Sequence, residues 1–316
     1  MNRLEVIKAG MMSTVQDGGR FGMAHAGVSR SGPMDPMAFS VATALVGCAP
    51  GSAALEFAYV GGSFAVERPT RIAVTGGACD IRIDDRPVAA WESHWLKPGQ
   101  TLHVGALRGA VWGYVAFSGG IEVPCFLGSR ATHLRTGQGG FHGRALEAGD
   151  VLPLGGALAA PLLLLRLPIM RASGPIRVVA GPQNDYFDGE AWKSFLSGEF
   201  RITDKRDRMA TVLDGPPLRS SGGHDIVSDG AVPGAVQVPG SGRPIILGME
   251  AQTTGGYPKI ATVATVDLPR LFQLRTGSAL RFSSISRDAA ETLLIVHARC
   301  LSEALENLAV KSKDRV

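Results

Sequence analysis

Three stretches of this 316-residue chain hold the side chains best suited to chemistry. The first, "TVQDGGRFGMAHAGVSRSGPMD" from Thr14 to Asp35, sets Arg20, His25, Ser29, Arg30 and Ser31 among five glycines. The second, "SGGIEVPCFLGSRATHLRTGQGGFHGRALEAGD" from Ser118 to Asp150, contains Arg130. The third, "VPGAVQVPGSGRPIILGMEAQTTGGYPKIATV" from Val232 to Val263, contains Gln237, Gln252, Thr253, Tyr257 and Lys259. Each combines adjacent glycines with polar groups that can hydrogen-bond a small planar ligand. A glycine pair lacks Cβ atoms, so backbone amides can approach a ligand closely. The same pairs suit tight hairpin turns, and residue chemistry alone leaves both readings open.

Familiar motifs are absent. There is no GxxxxGK[ST] phosphate loop, no GxGxxG fingerprint and no GxSxG elbow; "GQGGFHG" at Gly137 has the wrong spacing. The seven histidines form no HxxxH or HExxH pair and the four cysteines no CxxC, so no metal site is expected. Cys48, Cys79, Cys125 and Cys300 read as scattered buried thiols, which fits a cytoplasmic setting. The net charge of +4 is spread without a basic block, which argues against nucleic acid. The N-terminal "MNRLEVIKAG" has no signal-peptide core, and "ALAAPLLLL" is too short to span a bilayer.

The elements that must position these groups read mainly as strands. Length favours two domains, and 41 glycines with 19 prolines favour many short elements. "RIAVTGGACDIRIDDRPV", "QTLHVG" and "GYVAFSGG" alternate short apolar strands with glycine or Asp-Asp turns. Asp35 and Pro36 predict a helix start, with Met37, Val41, Ala44 and Leu45 at helical spacing and Gly47 as the stop. A second helix is expected around "DYFDGEAWKSFLSG". A third is expected near the C-terminus, where Asp288 and Glu291 resemble a capping pair before the stripe Leu293, Val296, Cys300, Leu301, Leu305, Leu308. A boundary falls in 157–174, with domains expected at 1–165 and 175–316.

Further motifs then identify a resemblance. "AGMMSTVQDGGRFG", "GVSRSGPMDPMAFSVATALVG", "ALE", "SGGIEVPCFLGSRATH", "GGFHGRALEAGD", "RVVAGPQNDYF" and "GAVQVPGSGRPIIL...AQTTGGYPKIA" run in order along almost the whole chain. Together they resemble the allophanate hydrolase subunit 2 type, also called the biotin-dependent carboxyltransferase family. That family includes the C-type subunit of the bacterial ATP-dependent 5-oxoprolinase, the member this chain most resembles. It also includes part of urea carboxylase and an antagonist of a sporulation-kinase inhibitor. Where the family often has asparagine and glycine around Arg208-Met209, this chain has Asp207 and Ala210.

The resemblance implies a mainly β fold of two cyclophilin-like β-barrel domains with a few short helices. It implies a subunit 1 (B-type) homologue as partner, with the A-type subunit of 5-oxoprolinase as a further one. The activity implied is ATP-dependent opening of 5-oxo-L-proline to glutamate. The alternatives are carboxyl transfer from carboxybiotin to a urea- or amide-like substrate, and a regulator that binds a kinase-inhibitor protein. ATP would serve the complex, since no P-loop is present, and biotin would arrive on a separate carrier. Both substrates are planar and amide-like. Gln237, Gln252, Thr253 and Tyr257 could read an amide edge. Lys259 offers positive charge or guards a sheet edge. Arg208 is either a clamp on an anion or a structural ion pair, and Arg130 and Arg20 pose the same choice. His25 is a base or a structural hydrogen-bonding group. Ser29 lies beside the helix start at Asp35, where free amides can bind an anion.

Overall fold

The computed structural model describes residues 2–166 and 171–312. Among them the chain is predominantly β and divides into two compact units. The first contains Met1–Arg20, Ser31–Ile169 and Leu301–Val316, and the second Phe21–Arg30 and Met170–Cys300. The expected boundary crosses residues 167–170, which lie outside the described residues. The units interleave along the chain, so no single cut separates them.

In the first unit a six-stranded sheet runs in the order Val151–Leu154, Asn2–Lys8, Ser63–Val66, Leu102–Val104, Ile81–Ile83, Arg86–Pro87. A five-stranded sheet runs Thr14–Gln16, Ala54–Ala58, Trp112–Phe117, Thr70–Thr75, Ser93–Leu96. Leu4, Phe64 and Leu102 from the six-stranded sheet share one core with Phe57, Val74 and Phe117 from the five-stranded one. Strand alternation turns Ala54, Ala73, Tyr114 and Ala116 to the other face, where helix α1 (Pro36–Leu45) packs Ala38, Val41, Ala42 and Leu45 against them. Both faces of this sheet are therefore covered, and small residues on the second face let the helix approach.

Helix α1 forms as its sequence predicts. The Asp35 carboxylate accepts the Ala38 amide at 3.2 Å, Pro36 takes the first turn, and Gly47 leaves the helix at φ 69°.

In the second unit one eight-stranded sheet runs Ala279–Leu280, Phe200–Arg206, Ala210–Asp214, Ile245–Leu247, Ala235–Gln237, Lys259–Val263, Ile176–Ala180, Phe282–Ser284. Its two end strands are separated by Arg281 alone, so the sheet must curl into a nearly closed barrel. Helix α2 (Gly189–Ser197), capped by Asp188, sets Phe195 against Phe282 with ring centroids 4.5 Å apart. A short helix α3 (Leu268–Gln273) follows, and α4 (Arg287–Glu306) is the longest.

Several expectations need correction. Only one barrel-like domain is present among the described residues. The first unit instead faces two main sheets across a core, because eleven of its strands pair into two hydrogen-bonded sets although their period-two pattern is the same. At α4 the cap is Ser286, whose Oγ accepts the Ala289 amide at 3.1 Å, while Glu291 pairs with Arg287 at 2.9 Å. Of the expected stripe, Leu301, Leu305 and Leu308 pack on the α1 cluster, whereas Leu293 is half-buried and Val296 is exposed. Cys125 and Cys300 are exposed rather than buried, one on a loop and one on α4. Among the described residues, no helix is long and apolar enough to cross a membrane.

Candidate functional site

The second unit gathers the polar groups of the third stretch at one end of strand Lys259–Val263. Gln237 ends strand Ala235–Gln237 and is the register partner of Lys259 across a bulge. Register partners on one face lie close, roughly 5 Å between Cβ atoms. Both side chains are buried, with only 2% of each residue exposed. Burial of an ammonium requires a counter-charge. Asp229 supplies it, with Oδ2 3.3 Å from Lys259 Nζ but without hydrogen-bond alignment. Gln237 Nε2 has no hydrogen-bond acceptor.

Gln183 holds this group together. Its Oε1 accepts the Lys259 amide at 3.2 Å, its backbone amide donates to the Lys259 carbonyl at 3.4 Å, and its Nε2 donates to Asp229 Oδ2 at 3.0 Å. The Asp229 carboxyl is held below the ordinary carboxylate range by that Gln183 hydrogen bond, then by the Gly230 amide and the Lys259 ammonium. Asp229 therefore stays ionised and is a weak base. Its strand Asp229–Gly230 pairs with Thr254–Gly255, placing Gly255 opposite Asp229. A Cβ on Gly255 would fall on Gln237 Nε2. Lys259, Asp229, Gln237 and Gly255 thus converge, and the two buried donors are not matched by aligned protein acceptors. Such a pair suits a carbonyl or carboxylate oxygen.

The other residues singled out from sequence lie variously. Gln252 and Tyr257 are exposed and Thr253 is half-buried, all on the segment leading into Lys259. Arg208 is almost wholly buried and its Nε donates to Glu250 Oε1 at 2.5 Å. Its turn is built by Asp207, whose Oδ1 accepts the Met209 and Ala210 amides at 2.7 and 3.0 Å. Ala210 begins a strand and is absent from the residues of positive φ, so the alanine is accommodated.

In the first unit Arg20 is buried over the Phe126 ring and donates to the Phe126 and Ala131 carbonyls. Arg130 pairs with Glu122 at 2.5 Å, and its amide donates to Asp17, which also accepts from Ser129 Oγ at 2.6 Å. These groups hold the turns together. In the second unit, His25 is exposed on a short 3-10 turn, and Ser29 is buried. Among the described residues no hydrogen bond or ion pair joins His25 or Ser29 to the Lys259 group, and no cluster of three or more metal-ligating side chains occurs.

Two further features of the first unit escaped the sequence reading. A buried polar row crosses the five-stranded sheet, Thr14 to Glu56 to Tyr114 to Thr75. The Tyr114 hydroxyl donates to Glu56 at 2.8 Å and accepts the Asp35 amide at 2.7 Å. Burial first, and the neighbouring carboxylates next, push the Tyr114 phenol well above its ordinary value, so it remains protonated. There is also a cavity of about 410 Å³, lined by Val123, Cys125, Phe126, Phe141 and His142 among others. Its walls are largely apolar, whereas at Lys259 a buried ammonium and a buried amide of neighbouring strands both lack an aligned acceptor. In the Lys259 group itself, Gln183 and Asp229 were missed because they meet Lys259 through side-chain contacts that only the fold creates, Gln183 across 76 positions. The motif "GPQNDYF" and the acid before "GAVPGAVQ" were the available signals.

Comparison with known proteins agrees with this architecture. Residues 26–284 match the family described as the carboxyltransferase domain, subdomain A and B. The chain is 36% identical over 289 residues to the C-type 5-oxoprolinase subunit of Escherichia coli, covering 91% of this chain and 93% of that protein. The protein of the same name from Haemophilus influenzae is 35% identical, covering 92% of this chain and 94% of its own length. The crystal structure of the K. lactis urea amidolyase superposes with a TM-score of 0.88 at 30% identity, covering 99% of this chain but only 20% of that one. The chain belongs to the carboxyltransferase subdomain A and B family, a family of enzymes related to the C-type subunit of 5-oxoprolinase and to urea amidolyase.

Proposed function

We propose that this chain is the carboxyltransferase-type subunit of a complex that moves a carboxyl group onto a small urea- or amide-like substrate, with the Lys259 group as its oxygen-binding site. The observation carrying this reading is the pair of buried donors, Lys259 Nζ and Gln237 Nε2, set beside one another with no protein acceptor aligned to either. When a carbonyl carbon gains or loses a substituent, charge builds on its oxygen. Donors fixed in a site poor in water stabilise that charge without reorganising, and one such donor contributes about 10²–10³ in rate. Lys259 supplies the charge and Gln237 the directed N–H. Gln252, Thr253 and Tyr257 stand at the approach, where uncharged donors and acceptors can sort an amide edge from an ester or acid. Asp229, held ionised beside Lys259, contributes electrostatically.

A donor pair that accepts an oxygen also fits the oxygens of a carboxylated biotin. That group, carried on another chain, would supply the carboxyl being transferred. A subunit 1 (B-type) partner completes the proposed complex.

A second reading has its own support. The bacterial relatives named as C-type subunits of 5-oxoprolinase align over nearly their full length, unlike the urea amidolyase, which is far longer. The complex would then open 5-oxo-L-proline with ATP bound elsewhere, on or with the A-type subunit, and Lys259 and Gln237 would hold an oxygen of the lactam. Co-purification with the subunit 1 homologue and the A-type subunit, followed by turnover assays, separates the two. Activity that needs a biotinylated carrier and is blocked by avidin supports carboxyl transfer. Glutamate release that depends on ATP and 5-oxoproline and ignores avidin supports the second reading and overturns the first.

A further inference from the structure

Lys259 and Asp229 are an unequal pair. The ammonium is buried, while the Asp229 side chain keeps 51% of its surface exposed. Their contact at 3.3 Å lacks hydrogen-bond alignment. Asp229 owes its position instead to Gln183 Nε2 at 3.0 Å and to the Gly230 amide at 2.7 Å. On the far side of the group, Gln237 Nε2 is buried with no acceptor and packs against Gly255, where a Cβ would fall on it. A neutral ligand could satisfy Gln237 but could not replace Asp229, because Lys259 would lose its counter-charge in a buried place. An anion can replace it. The released Asp229 then keeps its charge solvated, at little cost.

We propose that Asp229 is a displaceable counter-ion: held by Gln183, it occupies the place beside Lys259 Nζ that a carboxylate oxygen of the bound ligand takes, and so selects for a ligand bearing a carboxylate next to an amide-like oxygen. This deepens the proposed function and rests on its reading of Lys259 as the oxygen-binding cation. Asp229 acts through Lys259, as a specificity-determining and positioning residue, and Gln183 sets how readily it leaves. Removing the Asp229 charge removes the internal competitor for Lys259, so carboxylate ligands bind more tightly and neutral ones do not. The carboxylate has two sources, the small substrate itself and the carboxyl group in transfer.

The test is calorimetric titration of the full chain, wild type, Asp229→Asn, Gln183→Met and Lys259→Met, with three probes: 5-oxo-L-proline, bicarbonate and the uncharged lactam 2-pyrrolidinone. Asp229→Asn is expected to bind at least one anion about tenfold more tightly, with 2-pyrrolidinone unchanged. Gln183→Met, which frees Asp229 without removing it, is expected to move the same way by less. A gain for 5-oxo-L-proline alone assigns the place to a substrate carboxylate, and a gain for bicarbonate alone assigns it to the carboxyl in transfer. Unchanged or weaker anion binding in Asp229→Asn, or an equal gain for 2-pyrrolidinone, overturns the inference. If Lys259→Met meanwhile loses anion binding, the Lys259 reading survives that failure. If Lys259→Met binds anions as wild type does, that reading fails as well. Melting curves run alongside separate this from loss of fold, since a structural role for Asp229 would lower the Tm without changing how the Tm responds to added anion.

Discussion

Gly255 makes the sharpest prediction at the scale of single residues. Its φ is not in the left-handed region, so alanine is tolerable for the backbone, yet the new Cβ would fall on Gln237 Nε2. That atom ends a flexible side chain and would move aside. Gly255→Ala should therefore keep the fold while displacing the N–H that meets the substrate. Turnover is expected to fall about a hundredfold with the Tm unchanged, and wild-type turnover in a folded variant would place Gln237 outside the chemistry.

Arg208 makes the opposite prediction. Arg208→Ala leaves the buried Glu250 carboxylate without that guanidinium and should cost roughly 3–5 kcal/mol, read by denaturant unfolding. Unaltered stability would show the pair to be dispensable to the fold. Sequence alone could name Lys259, Gln237 and Arg208 from their chemistry. It could not say which cation faces a ligand, because that depends on partners such as Glu250, Asp229 and Gln183, which only the fold brings close.

At the scale of elements, what the sequence shows depends on how local the cause is. Helix α1 was readable because Asp35, Pro36 and Gly47 act within one short segment. The eight-stranded sheet was less so, since period-two alternation reports which face is buried but not which strand pairs with which. One fastener of that sheet is testable by pH. Asp267 accepts Arg177 Nη2 at 2.6 Å and Arg270 Nη2 at 3.0 Å. Burial alone would raise its carboxyl, but the hydrogen bonds from Arg177 and the charge of Arg270 more than offset this and hold it below its ordinary value. A depressed folded pKa adds stability that is present above the unfolded pKa and is lost as pH falls through the folded one. The contribution should thus be full at neutral pH and begin to fade only below about pH 4. Asp267→Asn is expected to melt lower than wild type at pH 7 but to lose less Tm than wild type between about pH 5 and about pH 2. Parallel Tm curves for the two proteins would remove Asp267 from the acid response.

At the scale of the whole molecule, the C-terminal segment belongs to the first unit although the stretch directly before it, ending at Cys300, belongs to the second. Leu301, Leu305 and Leu308 pack on the α1 cluster, and strand Ala309–Val310 pairs with Leu163–Leu164. Lys311 Nζ is buried 2.7 Å from Glu92 and 3.3 Å from His94 Nδ1. Burial, and after it the Lys311 charge, keep the His94 imidazole below its ordinary value, while its hydrogen bond to the Ala89 carbonyl opposes them. Ending the chain at Cys300 should lower the Tm by at least about 5 °C in scanning calorimetry. An unchanged Tm would show the segment to be a passenger. This return of the chain was not readable as such: the leucine stripe was visible, but its division between a packed end and an exposed middle follows from where α4 leaves the second unit.

The central claim is that Lys259 is the cation that binds the substrate's oxygen, and the most direct measurement is steady-state turnover of Lys259→Met in the complex reconstituted with its partner subunits. A loss of about 10²–10³ in kcat/KM with assembly intact is expected; turnover equal to wild type in the assembled complex would contradict a role for Lys259 in binding that oxygen.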